Sequence, residues 1–309
     1  VVDAVIDVGS NSVILMVAEV SSGNLRPILE TTAVTALGEG TKSTGILGET
    51  GISSTLCALR EAFSAAKSKG ARDVLAFATM AARIAGNAED FLSRAALQGT
   101  PVRILSADRE AELGFAAVSE DPLFAGSKTV SVIDVGGHST ELATGKQGLR
   151  SWQIAFRRSF PVGTLGLREL GDFRLPGQIL RASRLIDETL GLEYMVAAAG
   201  EAVSLGATGV NLASIRNGLN WQPSAWHGAR LEYEEVARAA GWLCGMSDVE
   251  RAALPGIEPG REKTVHLGAL ILERFMYAIR VESCTVSDRG WRHAMLMENS
   301  QKNSRLVRN

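Results

Sequence analysis

The chain has 309 residues, of which 46% are hydrophobic and 21% charged, with a formal net charge of −2. That is globular composition with material for two cores, and the near-neutral balance argues against bulk electrostatic binding of nucleic acid. No apolar run reaches the roughly 18 residues that span a bilayer, and three widely spaced cysteines, Cys57, Cys244 and Cys284, form neither a metal motif nor a disulfide framework, which fits a reducing cytoplasm.

The opening segment is short and lacks a basic flank, so it does not read as a signal peptide. It reads as a strand, Ala4 to Val8, followed by the turn Gly9-Ser10-Asn11-Ser12 and a second strand, Val13 to Val20. Gly and Asn tolerate unusual backbone angles there and leave amides free to face a ligand. Ser21-Ser22-Gly23-Asn24 reads as a hairpin turn into a third strand, Leu25 to Thr35, and Thr41 to Gly51 as a polar, glycine-rich loop. Ile52, Leu56, Leu59, Ala62, Phe63 and Ala66 recur at helical spacing, with Gly70 as the C-cap. A strand at Val74 to Ala78, a helix at Ala88 to Gln98, a strand at Val102 to Leu105 and a helix at Ala107 to Val118, capped by Ser106, follow.

Ser119 to Lys128 carries boundary signals, Asp-Pro and Ala-Gly-Ser. Beyond it the opening pattern returns. Thr129 to Val135 reads as a buried strand, Gly136-Gly137-His138-Ser139 as a glycine turn and Thr140 to Thr144 as a second strand. This internal repeat predicts an α/β fold of two related domains, residues 1–120 and 121–309, across an interdomain cleft. Helices are expected around Leu165 to Leu170, Pro176 to Leu190, Glu232 to Gly245 and Thr264 to Tyr277, then a strand at Cys284 to Ser287 and a last helix from Gly290, packing back on the first domain and ending in a polar, frayed tail. Trp221, Trp226 and Trp242 read as packing residues.

Two segments carry chemistry. In Asp7-Val8-Gly9-Ser10-Asn11-Ser12 an aspartate at a strand end precedes a turn whose amides and hydroxyls suit phosphate oxygens. Asp134-Val135-Gly136-Gly137-His138-Ser139-Thr140-Glu141 repeats the arrangement and adds Glu141 on the next strand. One such turn is as readily a capped hairpin; the pair points to phosphate binding. His138 by itself reads as a solvated turn residue. Glu110, in the first turn of its helix, reads by physics alone as a carboxylate complementing the helix dipole.

In order along nearly the whole chain, these segments resemble the Ppx/GppA (exopolyphosphatase and guanosine pentaphosphate phosphatase) family. The resemblance rests on the two loops and on Leu37-Gly38-Glu39-Gly40, Thr79 to Asn87 (Thr-x-Ala-x-Arg-x-Ala-x-Asn), Ile104 to Ala111 (Ile-Leu-Ser-Gly-x-Glu-Glu-Ala), Phe160-Pro161-Val162-Gly163 and Gly206-Ala207-Thr208. It implies two actin-like (ASKHA, ribonuclease H-like) domains. It implies Glu110 as the catalytic base and Asp7, Asp134 and Glu141 as the carboxylates that organise Mg²⁺ or Mn²⁺ and the attacking water. Gly9, Ser10, Asn11, Ser12, Arg83, Gly136, Gly137, His138, Ser139, Thr140, Gly206 and Thr208 would then bind phosphate. The implied substrate is inorganic polyphosphate or guanosine penta- or tetraphosphate, and the implied protein is a cytoplasmic homodimer acting on neither nucleic acid nor membrane. Phosphoryl transfer to water needs charge neutralisation, a metal and a positioned water, which such residues supply.

Departures from the family pattern share a direction. Ile14, Ala36 and Gly166 stand where basic residues are usual; Arg109 replaces the first Glu of the Glu-Glu pair, His138 and Ala207 each replace a glycine, Lys263 stands in an Arg-Glu-Lys triplet where Arg-Ala-Asp is usual, and His293 replaces an acid. Lost arginines are lost bidentate phosphate donors, and Ala207 would narrow the approach to phosphate if its position needs a positive φ. Arg157, Arg158 and Arg168 are the candidates to compensate, although Arg157-Arg158 reads as solvated surface. The competing functions are a catalytically weak sensor of polyphosphate or nucleotide and an ATP-dependent kinase on the same fold; the Ser-x-x-x-Glu-Ala context of Glu110 favours the hydrolase.

Overall fold

The computed structural model describes residues 1–21, 24–149, 151–191, 200–222 and 225–306. The chain divides into two units, Val1–Leu113 with Trp291–Asn309, and Gly114–Gly290. The division falls inside a helix, upstream of the linker at 119–128 that marks it in the sequence.

The first unit is built on strands β1 (Val2–Val8), β2 (Ser12–Ser21) and β3 (Asn24–Val34). The turn expected at 21–24 lies partly outside the described residues. The short helix α1 (Thr41–Thr44), helix α2 (Glu49–Ser68), β4 (Val74–Ala78), α3 (Met80–Ile84), α4 (Ala88–Leu97), β5 (Arg103–Ile104) and α5 (Ala107–Ser119) follow. The five strands run in the order β3-β2-β1-β4-β5, with β1 antiparallel to β2 and parallel to β4. β1 is central, and Ala4, Val5 and Ile6 are fully buried on both faces, as expected of a strand covered by helices. The six apolar residues read at helical spacing in α2 are all buried, and Gly70 takes φ 79° just past its end.

The segment expected to be a loop at 41–51 instead holds α1 and the first turn of α2. Gly40 and Gly45, at φ 71° and 74°, bracket the single helical turn, and Thr41 and Leu47 are buried beneath it. A buried anchor at each end holds a turn that propensity alone would not form.

The second unit repeats the design. β6 (Thr129–Val135), β7 (Thr140–Gln147) and β8 (Trp152–Phe160) form an antiparallel meander, followed by α6 (Thr164–Arg168), α7 (Pro176–Leu190), β9 (Glu201–Leu205), α8 (Ala207–Asn217), β10 (Arg230–Glu232), α9 (Tyr233–Cys244), α10 (Asp248–Ala252), α11 (Val265–Ala278) and β11 (Ser283–Ser287). Its sheet order is β10-β11-β9-β6-β7-β8. Read from β8 inward, this is the order of the first unit with one edge strand added, so both units are actin-like and ribonuclease H-like. The core gathers Ile133, Leu142, Phe160, Phe275 and the almost wholly buried α11, with Phe160 and Phe275 edge to face at 5.4 Å.

Trp221 and Trp226 pack against this core, but Trp242 is 50% exposed on α9 and is not a packing residue. The last helix, α12 (Trp291–Leu306), lies on β1, β2 and β3 of the first unit. Trp291 meets Phe77 edge-on at 6.1 Å, and Asn299 donates to Asp3, a 1% exposed carboxylate that also accepts from Arg72. The helix runs through Leu306, past the point where the polar composition of the tail suggests fraying. No helix among the described residues is long and apolar enough to cross a membrane.

Candidate active site

The first loop is a tight β-hairpin turn. Asp7 pairs with Ile14 and Val8 with Val13 across β1 and β2, and Gly9 N–H donates to the Ser12 carbonyl at 2.9 Å. Ser10, Asn11 and Ser12 are 5–8% exposed. Their backbone is pinned from outside, because Thr35 and Ala36 N–H donate to the Asn11 carbonyl at 3.0 Å and Gly38 N–H to the Ser10 carbonyl at 2.8 Å. That explains the Leu37-Gly38-Glu39-Gly40 segment as a brace for the loop. Ala36, in a position where the family often has arginine, sits at φ 50°, a left-handed conformation that disfavours any side chain. The Asn11 side-chain amide is buried with no hydrogen-bond acceptor among the described residues.

Asp7 Oδ2 lies 3.3 Å from Arg292 Nη1, and Arg292 Nη2 lies 3.3 Å from Glu30 Oε1. Arg292, on α12, is 8% exposed. It was not singled out in the sequence, where the only hint is its place just past the strand and turn ending at Gly290. β4 brings Thr79 to this loop, with Thr79 N–H donating to the Val8 carbonyl at 3.2 Å, and α3 begins there.

Arg83, on α3, donates from Nη1 both to Glu110 Oε2 and to the Leu105 carbonyl, each at 2.7 Å. Both side chains are largely buried, at 14% and 12% exposure. Arg83 is therefore first of all the partner of Glu110, and its Nη2 is buried with no hydrogen-bond partner among the described residues. Glu110 closes the first turn of α5, its N–H bonded to the Ser106 carbonyl at 2.9 Å, while Ser106 Oγ caps the helix by accepting from Arg109 N–H at 3.3 Å. Arg109, in place of the family's first Glu, reaches Glu112 and Glu298, so the reversed charge is matched by an acid on α12.

The second loop has the same hydrogen-bond pattern: Gly136 N–H donates to the Ser139 carbonyl at 2.9 Å, one step beyond the pairs Asp134–Glu141 and Val135–Thr140. Glu141 is 4% exposed and accepts from Ser159 Oγ at 2.7 Å; Ser159, on a strand the sequence did not announce, had no signal that could have found it. Thr140 Oγ1 donates to the Val162 carbonyl at 2.7 Å, so its proton is engaged within the fold. His138 is 1% exposed, so the solvated-turn expectation is corrected: the turn folds inward, onto the start of α6. Thr164 and Leu165 N–H donate to the Gly136 and Gly137 carbonyls at 3.0 and 2.7 Å. A Cβ on Gly163 would stand 2.4 Å from Gly137 C and His138 N, which explains the glycine of the Phe-Pro-Val-Gly segment.

Gly206 precedes α8 at φ 77°, and a Cβ there would lie 3.6 Å from Asp134 Oδ1. Ala207 is the first residue of the helix and has no positive φ, so alanine costs the loop nothing in backbone strain. Thr208 is buried against Gly268. Each unit thus assembles its own part of the expected set: Asp7, Gly9 to Ser12, Arg83 and Glu110 in the first, and Asp134, Gly136 to Glu141, Gly206 and Thr208 in the second.

No three His, Cys, Asp or Glu side chains among the described residues form a metal cage. Mg²⁺ takes one or two carboxylates and fills its remaining positions with water and substrate phosphate. Asp134, half-buried, and its buried cross-strand neighbour Glu141 fit that donor set; Asp7 is held by Arg292.

The model of the Ppx/GppA phosphatase family matches residues 16–303. Exopolyphosphatase 2 of Mycobacterium tuberculosis is 28% identical over 310 aligned residues, covering 92% of this chain and 94% of that protein. The crystal structure of the Aquifex aeolicus member of the Ppx/GppA family is 28% identical and superposes with a TM-score of 0.79, covering 98% of each chain. An exopolyphosphatase from Cytophaga hutchinsonii, 19% identical, shares the fold with a TM-score of 0.85 over 96% of each chain. With two repeated phosphate-type turns, a buried glutamate held by arginine and a family match over most of its length, the chain belongs to the Ppx/GppA phosphatase family.

Proposed function

We propose that this protein hydrolyses the terminal phosphoanhydride of inorganic polyphosphate, or of guanosine pentaphosphate, with Glu110 as general base. The observation that carries the reading is the Arg83–Glu110 pair. A largely buried carboxylate is fixed at one oxygen by a 2.7 Å bond, and the second nitrogen of its arginine is a buried donor without an acceptor among the described residues. Buried donors are seldom left unpaired, and the Asn11 amide is in the same state. Both are suited to phosphate oxygens.

In the proposed step Glu110 takes a proton from water as the water oxygen attacks the terminal phosphorus. The bond to the bridging oxygen breaks, and the shortened chain leaves with its electron pair. Backbone amides of the first turn, the Asn11 amide and Arg83 Nη2 would stabilise the charge on the equatorial oxygens. Asp134 and Glu141 would hold Mg²⁺ or Mn²⁺, which when bound supplies charge neutralisation and lowers the pKa of coordinated water.

The test is release of orthophosphate, by malachite green, from polyphosphates of defined length, guanosine pentaphosphate and ATP, with Mg²⁺ or Mn²⁺. Release from polyphosphate or the guanosine nucleotide above a metal-free control is expected. Tight binding of the same compounds without release would make the protein a sensor on this fold, and release from ATP alone would remove both proposed substrates.

A further inference from the structure

Helix α12 brings an acid to the residue beside the proposed base, and it does so from a fixed base of its own. Arg292 holds Asp7 and Glu30, Trp291 meets Phe77, and Asn299 donates to the buried Asp3. Asp3, Val5 and Asp7 share one face of β1, because alternate side chains of a strand point the same way. The register carries that face across the sheet, since Val5 pairs with Met16 and Met16 with Glu30. Arg292 and Asn299 are about two turns of helix apart and lie on one side of α12. Glu298 stands between them, so its carboxylate comes from a helix tied down on both sides of it.

Glu298 accepts from Arg109 Nη2 across 189 residues of chain, and Arg109 Nη1 lies 3.3 Å from Glu112. The two contacts differ in what they can do. Glu112 is on the same helix, one turn on, and stiffens α5 without placing it. Glu298 belongs to another element and ties α5 to it. Burial works against the charge on Arg109; Glu298 first, then Glu112, offset it and raise its pKa. Arg109 and Glu298 are 37% and 34% exposed, so the direct worth of their pair to stability is small.

The place of the pair gives it a role. Arg109 immediately precedes Glu110 in the first turn of α5, where a helix has the fewest backbone bonds of its own. From Gly114 on, α5 belongs to the second unit, where Phe115 and Val118 are core residues. Its first turn is held to the first unit by Leu105 N–H on the Ala78 carbonyl at 2.8 Å, by Arg83 and by Arg109. Arg83 grips the Glu110 carboxylate and the Leu105 carbonyl ahead of the helix; the Arg109–Glu298 bond grips the turn itself.

We propose that Arg109 and Glu298 are positioning residues for the hydrolysis, holding the first turn of α5 so that the Glu110 carboxylate stays in reach of the attacking water. The inference rests on Glu110 as the general base. A misplacement of about 1 Å can cost roughly 10²-fold in rate, so a bond of small worth to stability has a large effect on turnover. The departure at position 109 then has a physical partner. With Glu298 opposite, the Glu that is usual there in the family would set two like charges against each other.

The test is a charge swap, read by turnover and by amide hydrogen exchange of residues 105–113 in the full chain. Arg109→Glu and Glu298→Arg change the local charge in opposite directions, so a general field acting on a polyanionic substrate would move them apart. Loss of a positioning bond moves them together. Each single variant should lose about fivefold or more in kcat for phosphate release, and the double variant should return to within about threefold of the parent. Exchange at Arg109 and Glu110 should quicken in each single variant and recover in the double, while β4 keeps the parent's protection and shows that the fold persists. A parent that releases no phosphate sinks the hydrolytic reading, and the exchange pattern then upholds or overturns the Arg109–Glu298 tie on its own. Single variants that match the parent, single variants that move in opposite directions, or a double variant no better than the singles overturn the proposal.

Discussion

Glu110 is a carboxylate with two competing explanations, and its partner separates them. A first-turn glutamate that only complements a helix dipole gains from facing solvent, and its contribution is a few tenths of a kcal/mol to about 1 kcal/mol. Glu110 is instead buried and bonded to Arg83 at 2.7 Å. Burying both groups carries a desolvation cost that their attraction repays only in part, so stability is a weak explanation for the pair. Glu110→Gln retains an oxygen to accept from Arg83 and removes the base. Phosphate release should fall by roughly 10²-fold or more, the usual worth of general-base catalysis, in a protein that thermal melts still show to be folded, its midpoint lowered by the uncompensated charge of Arg83. Equal turnover at saturating polyphosphate would take Glu110 out of the mechanism. Glu110→Ala is the poorer test, because it strands a buried guanidinium and mixes lost folding with lost chemistry.

At the scale of elements, Gly163 and His227 fix how segments meet the sheet of the second unit. Gly163→Ala places a Cβ 2.4 Å from backbone atoms of Gly137 and His138, and backbone cannot give way as a flexible side chain can. Destabilisation of about 3 kcal/mol is expected, the upper end for overpacking, and urea denaturation should show it. His227 joins three segments: Nε2 lies 3.2 Å from Asp121, Nδ1 lies 3.0 Å from Asp288, and Arg289 reaches the same Asp121 at 3.1 Å. Contact with Asp288 raises the His227 pKa, and the charge of Asp121 adds to it against burial and Arg289. A pKa raised on folding stabilises fully below the unfolded value of roughly 6.5. That contribution fades as pH climbs through the higher folded value. Thermal melts from pH 6 upward should therefore show a decline in the parent that is shallower in His227→Gln; parallel curves would exclude a stabilising charge on His227. Elements of this kind were unevenly legible. β1, β4, β6, α2 and α7 show in the sequence because apolar period or a glycine stop marks them. β8 does not, because it is an edge strand whose Ile154 and Phe156 are 40% and 36% exposed and whose arginines break the alternation. The turns themselves were read correctly as hairpins, but Ser159, Arg292 and the Arg83–Glu110 pairing depend on contacts between segments distant in sequence, which no local pattern encodes.

On the scale of the molecule, the duplicated strand order allows the two units to be compared position by position. Asp134 pairs with Glu141 in the second unit, and the equivalent pair in the first is Asp7 with Ile14. The first unit thus offers an apolar residue where the second offers an acid and the family usually offers a base. Ala36, at φ 50°, already carries the strain that a Cβ meets in the left-handed region, and it supplies no charge. Gly166 lies in α6, half-buried behind the second turn. If these positions contact successive phosphates, this protein should hold long chains only slightly better than short ones. Affinity for a polyanion grows with the number of phosphates neutralised, and each such contact steepens the fall of affinity with salt. Losing up to three contacts lowers both, while a short substrate, needing mainly the loop amides, Arg83 and the carboxylates, is affected less. Binding of short and long polyphosphate at several salt concentrations should show weak length dependence and a shallow salt slope in the parent. Ile14→Arg and Gly166→Arg should each steepen the slope by about one contact and favour the longer chain, with thermal melts confirming that the variants fold. Tight, strongly salt-dependent binding of long chains by the parent would overturn this reading and would assign the polyanion to other basic residues, Arg157 and Arg158 on β8 first among them.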